Sequence, residues 1–212
     1  MTREPGRQTR HSFSFGSSYD PERVSFGPMF ALNDDLLGTG VGYAAHEHRE
    51  VVLVTWVVSG ALEHEDAGGR AVQPAGELAI TRAGAGITHA ERAADGATRF
   101  VQTWLRPGSP GGEPSRRTTR PDLGSGDAMV VADEESLGVP GARFRIAAVP
   151  GGGSVRIPEA PLRYVFVATG ALTRSSLAEP LAAGDAFEIT GETELQLTVG
   201  VPTQLLVWSF DG

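Results

Sequence analysis

One strand–turn–strand pattern occurs twice in this sequence, and it limits the fold more than any other feature. Residues 52–62, VLVTWVVSGAL, align with residues 162–172, LRYVFVATGAL, at an offset of 110 positions. Downstream, AGELAIT (75–81) matches AGDAFEIT (183–190) at offsets of 108 to 109. Two matches in one order at nearly one spacing predict a duplicated unit. Each copy reads as strands. VVLVTWVV (51–58) is a continuous apolar run rich in β-branched residues, as a strand buried on both faces should be. FVQTWL (100–105), RFRIAAV (143–149), RYVFVA (163–168), ELQLTV (194–199) and QLLVWSF (204–210) continue the pattern, most of them separated by Gly, Pro, Asp or Ser. A helical signal is confined to ADEESLG (132–138), enough for one turn or two. Between the copies, RPGSPGGEPSRRTTRPDLGSGD (106–127) is rich in Pro, Gly and charge and reads as a linker. The expectation is an all-β chain of two tandem β-barrels, residues 1–106 and 127–212, joined by a linker over 107–126.

The chain has no cysteine, which excludes disulfides, thiolate zinc sites, iron–sulfur clusters and thiol catalysis. Its formal charge of −8, from 18 basic and 26 acidic residues, argues against a nucleic-acid groove, which needs concentrated positive surface. The densest basic stretch, Arg116, Arg117 and Arg120, falls in the expected linker and reads as solvated. No apolar run approaches the roughly 20 residues needed to cross a bilayer. The basic N-terminus also lacks the apolar segment of a secretory signal. These features predict a soluble, cytoplasmic protein that binds neither nucleic acid nor membrane directly.

Histidine narrows the function. All five histidines lie before residue 90, so imidazole chemistry belongs to the first unit. His46 and His48 form an H-x-H pair just ahead of the 51–58 strand. His89 and Glu91 form H-x-E behind the glycine-rich AGAGIT (83–88). Side chains at i and i+2 of an extended chain share a face, so each pair directs two donors at one point inside a barrel. Three imidazoles and a carboxylate suit one divalent ion: Fe(II), Mn(II), Ni(II), Cu(II) or Zn(II). On an octahedral ion they leave two positions open. For an isolated H-x-H, two surface histidines at a strand entry are the plain alternative. The second copy is an internal control. At an offset of 110, His46 and His48 fall on Arg156 and Pro158; at 109, His89 and Glu91 fall on Thr198 and Gly200. No metal donor set is present there, so the fold does not require one.

Around these residues the chain resembles the pirins, a branch of the bicupins in the cupin superfamily. The likeness is carried by HSFSFGSSYDP (11–21) with LNDD (32–35), by AAHEHREVVLVTWVVSGALEHEDAGG (44–69), by PAGELAITRAGAGITHAE (74–91) and by FVQTWLRP (100–107). The C-terminal half matches mainly in barrel pattern. The resemblance implies two cupin-type barrels, of which the first binds metal and the second lacks the ligands. It implies His46, His48, His89 and Glu91 as ligands of one ion, usually iron, Fe(II). It further implies a quercetin 2,3-dioxygenase-like oxidoreductase acting on a flavonol-type or related enolic small molecule, with Glu91 as the catalytic group that takes the flavonol proton. Two rival readings stay open: a metal-containing regulator that works by binding a protein partner, and another metal-dependent cupin enzyme such as an isomerase.

One position departs from the pirin pattern. Where pirins usually carry Glu four residues after the second motif histidine, this chain has Val52. Glu50 would share the face of His48 if the strand ran through it, and so would approach the metal's surroundings. His64, in LEHEDAGG, is expected to line the pocket or orient a metal ligand; a strand-end histidine near a turn is the plainer reading. His11 is expected to pack the N-terminal arm. Trp56 and Trp104 are expected in the core, with stacking on an aromatic substrate as the alternative.

Overall fold

The β-branched and aromatic runs fold as strands throughout. The computed structural model describes residues 1–14, 16, 19–124, 127–174, 180–191 and 194–212. Phe15, Ser17 and Ser18 of the N-terminal signature, and Ser125 and Gly126 of the expected linker, lie outside the described residues. The chain divides into two units, Met1–Pro121 and Asp122–Gly212.

The first unit contains β1 (Thr2–Glu4), β2 (Arg7–His11), β3 (Met29–Leu37), β4 (Gly42–His48), β5 (Val52–Ser59), β6 (Ala61–Asp66), β7 (Gly69–Pro74), β8 (Leu78–Arg82), β9 (Ile87–Ala93), β10 (Thr98–Leu105) and β11 (Ser115–Thr119). They make a seven-stranded sheet, β1-β2-β3-β10-β5-β8-β11, and a four-stranded sheet, β4-β9-β6-β7. The second unit contains β12 (Met129–Ala132), α1 (Glu134–Leu137), β13 (Ala142–Val149), β14 (Ser154–Ile157), β15 (Leu162–Thr169), β16 (Leu172–Arg174), β17 (Ala186–Thr190), β18 (Leu195–Val199) and β19 (Thr203–Phe210). Its sheets run β12-β13-β19-β15-β17 and β14-β18-β16.

The duplication read from sequence is present in the strand order. The run β3-β10-β5-β8 is matched by β13-β19-β15-β17, and β4-β9-β6 by β14-β18-β16. Even the turn chemistry repeats. Gly60 and Gly170 precede the shared Ala-Leu with φ of 76° and 80°, and at both a Cβ would collide with the backbone of a neighbouring strand. Only glycine meets both demands. Beside each turn stands a threonine, Thr98 or Thr203, whose hydroxyl accepts from the N–H and donates to the C=O of Ala61 or Ala171 respectively.

The short helix forms where ADEESLG places it. Asp133 accepts from the Ser136 N–H, Ser136 Oγ accepts from the Asp133 N–H, and Gly138 closes the turn in the left-handed region. The linker expectation needs correcting. Ser115–Thr119 pairs with β8 along its whole length, Arg116 donates to Gln73 Oε1 at 3.2 Å, and Arg120 donates to the Ala75 carbonyl at 2.8 Å. An edge strand held by backbone pairing needs no apolar alternation, so SRRTT gave no strand signal. Among the described residues, no helix is long and apolar enough to cross a membrane.

Candidate metal centre

The two short motifs meet as adjacent strands. β4 pairs antiparallel with β9, and the register sets His46 opposite His89 and His48 opposite Ile87. One ring nitrogen each from His46, His48 and His89 lies within 4.8 Å of the others. His64, His89 and Glu91 form a second such triplet, so His89 belongs to both. His48, His64, His89 and Glu91 are buried, and His46 is half-buried.

Hydrogen bonds assign the protons. His46 Nδ1 lies 2.8 Å from the Ala44 carbonyl; a carbonyl only accepts, so Nδ1 carries the hydrogen and Nε2 keeps a lone pair. His64 Nε2 lies 3.0 Å from Asp66 Oδ2, which by the same logic places the hydrogen on Nε2. His64 Nδ1 lies 3.3 Å from His89 Nδ1 and 4.0 Å from Glu91 Oε1, so this contact takes up the Nδ1 edge of His89 and leaves Nε2 as its other nitrogen. The Nε2 atoms of His48 and His89 are fully buried and have no hydrogen-bond partner. Burial pushes both imidazoles down to about 4, with His46 contributing at each, so both are neutral at neutral pH. Burial alone would raise Glu91, but His64, His89 and the Gln102 amide outweigh it and hold the carboxyl below the usual range.

The site opens on a cavity of about 220 Å³. His46, Glu91, Gln102 and Trp104 line it together with His11, Asn33, Asp35 and Tyr43. Gln102 is the residue that the sequence motifs missed. Its Nε2 lies 3.2 and 3.1 Å from the Glu91 oxygens, and its Oε1 accepts from Trp104 Nε1 at 2.8 Å, which fixes the amide's orientation. Trp104 also meets His48 edge to face at 4.8 Å between ring centroids, whereas Trp56 is a core residue. His11 ties the N-terminal strands together through Thr2 Oγ1 at 2.9 Å and Asn33 Oδ1 at 2.8 Å, and lines the cavity as well.

Two expected neighbours of the site are elsewhere. Glu50 lies in the turn after β4, exposed, with φ of 51°, so it does not share the face of His48. Val52 is buried on β5, but Thr55 on the same strand receives a hydrogen bond from Gln102, and three positions reverse the face. Val52 therefore points away from the histidines and Glu91, and a missing Glu there removes nothing from this cluster. His64, by contrast, sits against His89.

Strand register also refines the internal control. Gly152 and Gly153 bracket Val199 with backbone hydrogen bonds as Gly40 and Val41 bracket Ala93, so Val155 opposes Leu197 as Tyr43 opposes Glu91, and Ile157 opposes Leu195 as His46 opposes His89. Leu172 opposes Val199 as Leu62 opposes Ala93. Arg156 is exposed and one residue out of step with His46. His46, His89 and Glu91 thus correspond to Ile157, Leu195 and Leu197, all in or against an apolar core.

Known proteins share this architecture. The family described as Pirin matches residues 1–105. A Mycobacterium tuberculosis protein provisionally named quercetin 2,3-dioxygenase is 36% identical over 219 residues, covering 95% of this chain and 87% of its own. The Escherichia coli K12 protein named quercetin 2,3-dioxygenase is 35% identical over 127 residues, 58% of this chain and 55% of its own. The crystal structure of the bacterial pirin YhhW from Escherichia coli in complex with nickel(II) superposes with a TM-score of 0.87 at 23% identity, covering 99% of this chain and 94% of that one. With a named relative alike over nearly the whole of this chain and the pirin bicupin architecture in both units, the chain belongs to the pirin family.

Proposed function

We propose that this chain is a metal-dependent dioxygenase acting on a flavonol-type or related enolic small molecule, with one divalent ion held by His46, His48, His89 and Glu91. The observation that carries the reading is the pair of buried, partnerless Nε2 atoms of His48 and His89. Leaving such groups unsatisfied costs a few kcal/mol unless something meets them. A cation meets both at once, and the bond from His46 Nδ1–H to the Ala44 carbonyl leaves the lone pair of His46 Nε2 to join them. Neutral imidazoles and an ionised carboxylate are the protonation states a ligand set needs. When bound, the ion supplies Lewis-acid polarisation of an enolic oxygen. Fe(II) is the ion that the pirin resemblance implies, and nickel(II) is the one present with the Escherichia coli relative.

The chain's own residues do the rest. Gln102 holds the Glu91 carboxylate in place, His64 holds His89, and Trp104 walls the cavity against bulk water. A small-molecule cavity beside the donors favours an enzyme over a regulator working through a protein surface.

The test has two parts. Metal analysis should find about one ion per wild-type chain and almost none in the His46→Ala, His89→Ala double variant; equal content in both would sink the ligand set. Oxygen uptake with quercetin is then measured after anaerobic loading with Fe(II), Mn(II), Ni(II) or Cu(II). Uptake with at least one metal is expected. Its absence with all of them would move the assignment to a non-dioxygenase cupin enzyme or a metal-containing regulator.

A further inference from the structure

Asp35 is a buried carboxylate that no metal-binding role explains. It lies on β3, 2% exposed, and lines the same cavity as His46 and Glu91. Thr9 Oγ1 and Tyr43 OH both donate to its Oδ1 at 2.5 Å, and Thr9 and Tyr43 contact each other at 3.0 Å. The Arg7 guanidinium covers the outer face of the Tyr43 ring at 4.1 Å and so fixes the tyrosine. With both bonds on Oδ1, Oδ2 is left to the cavity.

Two comparisons argue that this carboxylate is not there for the fold. Its neighbour Asp34 is a structural acid, held by Arg99 through Nε at 2.7 Å and a second nitrogen at 3.0 Å. Among the described residues Asp35 has no such cation. In the second unit the equivalent rung carries alanine: Asp35 opposes Phe100 on β10, and Ala147 opposes Leu205 on β19, fully buried in the apolar core. A side chain the fold can replace with Ala, yet buried without a counter-charge in the first unit, points to a role toward what enters the cavity.

We propose that Asp35, steadied by Thr9 and Tyr43, is the substrate-binding group of this cavity and accepts the hydrogen of a hydroxyl on an enolic or phenolic molecule. The hydroxyl oxygen then faces His46 and Glu91 across the cavity. As the substrate O–H bond breaks, the proton passes to Oδ2 and the electron pair stays on the substrate oxygen. Burial, with the charges of Glu91 and Asp34, outweighs the Thr9 and Tyr43 bonds and raises Asp35 to about 6, which suits a group that takes a proton near neutrality. Glu91 is held ionised by its neighbours and is the poorer base. The proposal rests on the dioxygenase reading for the kind of molecule bound, not for the hydroxyl.

The test is calorimetric binding of catechol and of its dimethyl ether to nickel(II)-loaded wild type, Asp35→Asn and Asp35→Leu. Loss of a charge-assisted hydrogen bond should weaken catechol about tenfold in Asp35→Leu and several-fold in Asp35→Asn. Affinity for the ether and nickel content should not change. Asp35→Asn keeps the size and the bonds from Thr9 and Tyr43, so it decides the matter if the Leu variant misfolds. Unchanged catechol affinity, an equal loss for both probes, or loss of nickel would each overturn the assignment. If the wild type takes up no oxygen with quercetin while the Asp35 dependence of catechol binding holds, the dioxygenase reading fails and the hydroxyl-binding role stands.

Discussion

In the second unit, the strands β14, β18 and β16 turn Val155, Ile157, Leu197, Val199 and Leu172 into a dry core. In the first, the matching strands β4, β9 and β6 present His46, His48, His89, Glu91 and His64. The contrast continues on the facing sheet, where Val165 and Val207 pair in the second unit as Thr55 and Gln102 do in the first. Identical topology therefore forms around either filling. Apolar burial stabilises by about 25 cal/mol per Å², whereas each buried polar group must first offset its desolvation. The first unit is built against that gradient, and its polar interior is best understood as the functional part of the molecule.

The sharpest way to break this comparison is to convert one interior into the other. His46→Val, His48→Ile, His89→Leu and Glu91→Val together should abolish metal binding, read by mass spectrometry. The metal-free variant should stay within about 2 kcal/mol of metal-free wild type, because replacing buried polar groups with apolar ones is often neutral or stabilising. A variant that fails to fold would show that the first unit needs its donors. Conversely, Leu197→Ala in the second unit should cost about 2–5 kcal/mol in urea denaturation and leave metal content unchanged.

Asp35 gives a smaller effect with a definite sign. Its folded-state value of about 6 lies above the ordinary 3.8, so the folded chain binds this proton more tightly than the unfolded one. That contribution is present at acid pH and is lost as pH rises from about 4 to about 6. Asparagine has no such titration. Asp35→Asn should therefore gain on wild type by about 2 kcal/mol between pH 4 and pH 7.5, measured by urea denaturation at both. A constant difference would mean that the carboxyl is not perturbed. The smallest effect is at Glu50. Relief of its left-handed backbone in Glu50→Gly should raise stability by about 0.5 kcal/mol without altering metal content.

Much of this was written locally. The 51–58 run became β5, the Gly-Ala-Leu repeat marked equivalent turns, and ADEESLG carried its own caps. The H-x-H and H-x-E pairs were legible because period two decides which side chains share a face. At His46 the internal control was misplaced by one residue for an equally physical reason. The connection from Ile157 to Leu162 is one residue shorter than that from His46 to Val52, and a slip of one moves every side chain to the opposite face.

Sequence by itself determined a duplicated all-β chain with one histidine-rich half, since repeats, turn glycines and strand periodicity are properties of neighbours along the chain. Only the tertiary structure decided that Gln102 holds Glu91, that His64 meets His89, that Val52 and Glu50 stand apart, and that Asp35 lines one cavity with His46 and Glu91. Those groups are brought together by pairing between strands distant in sequence, and register, rather than spacing, fixes which of them meet.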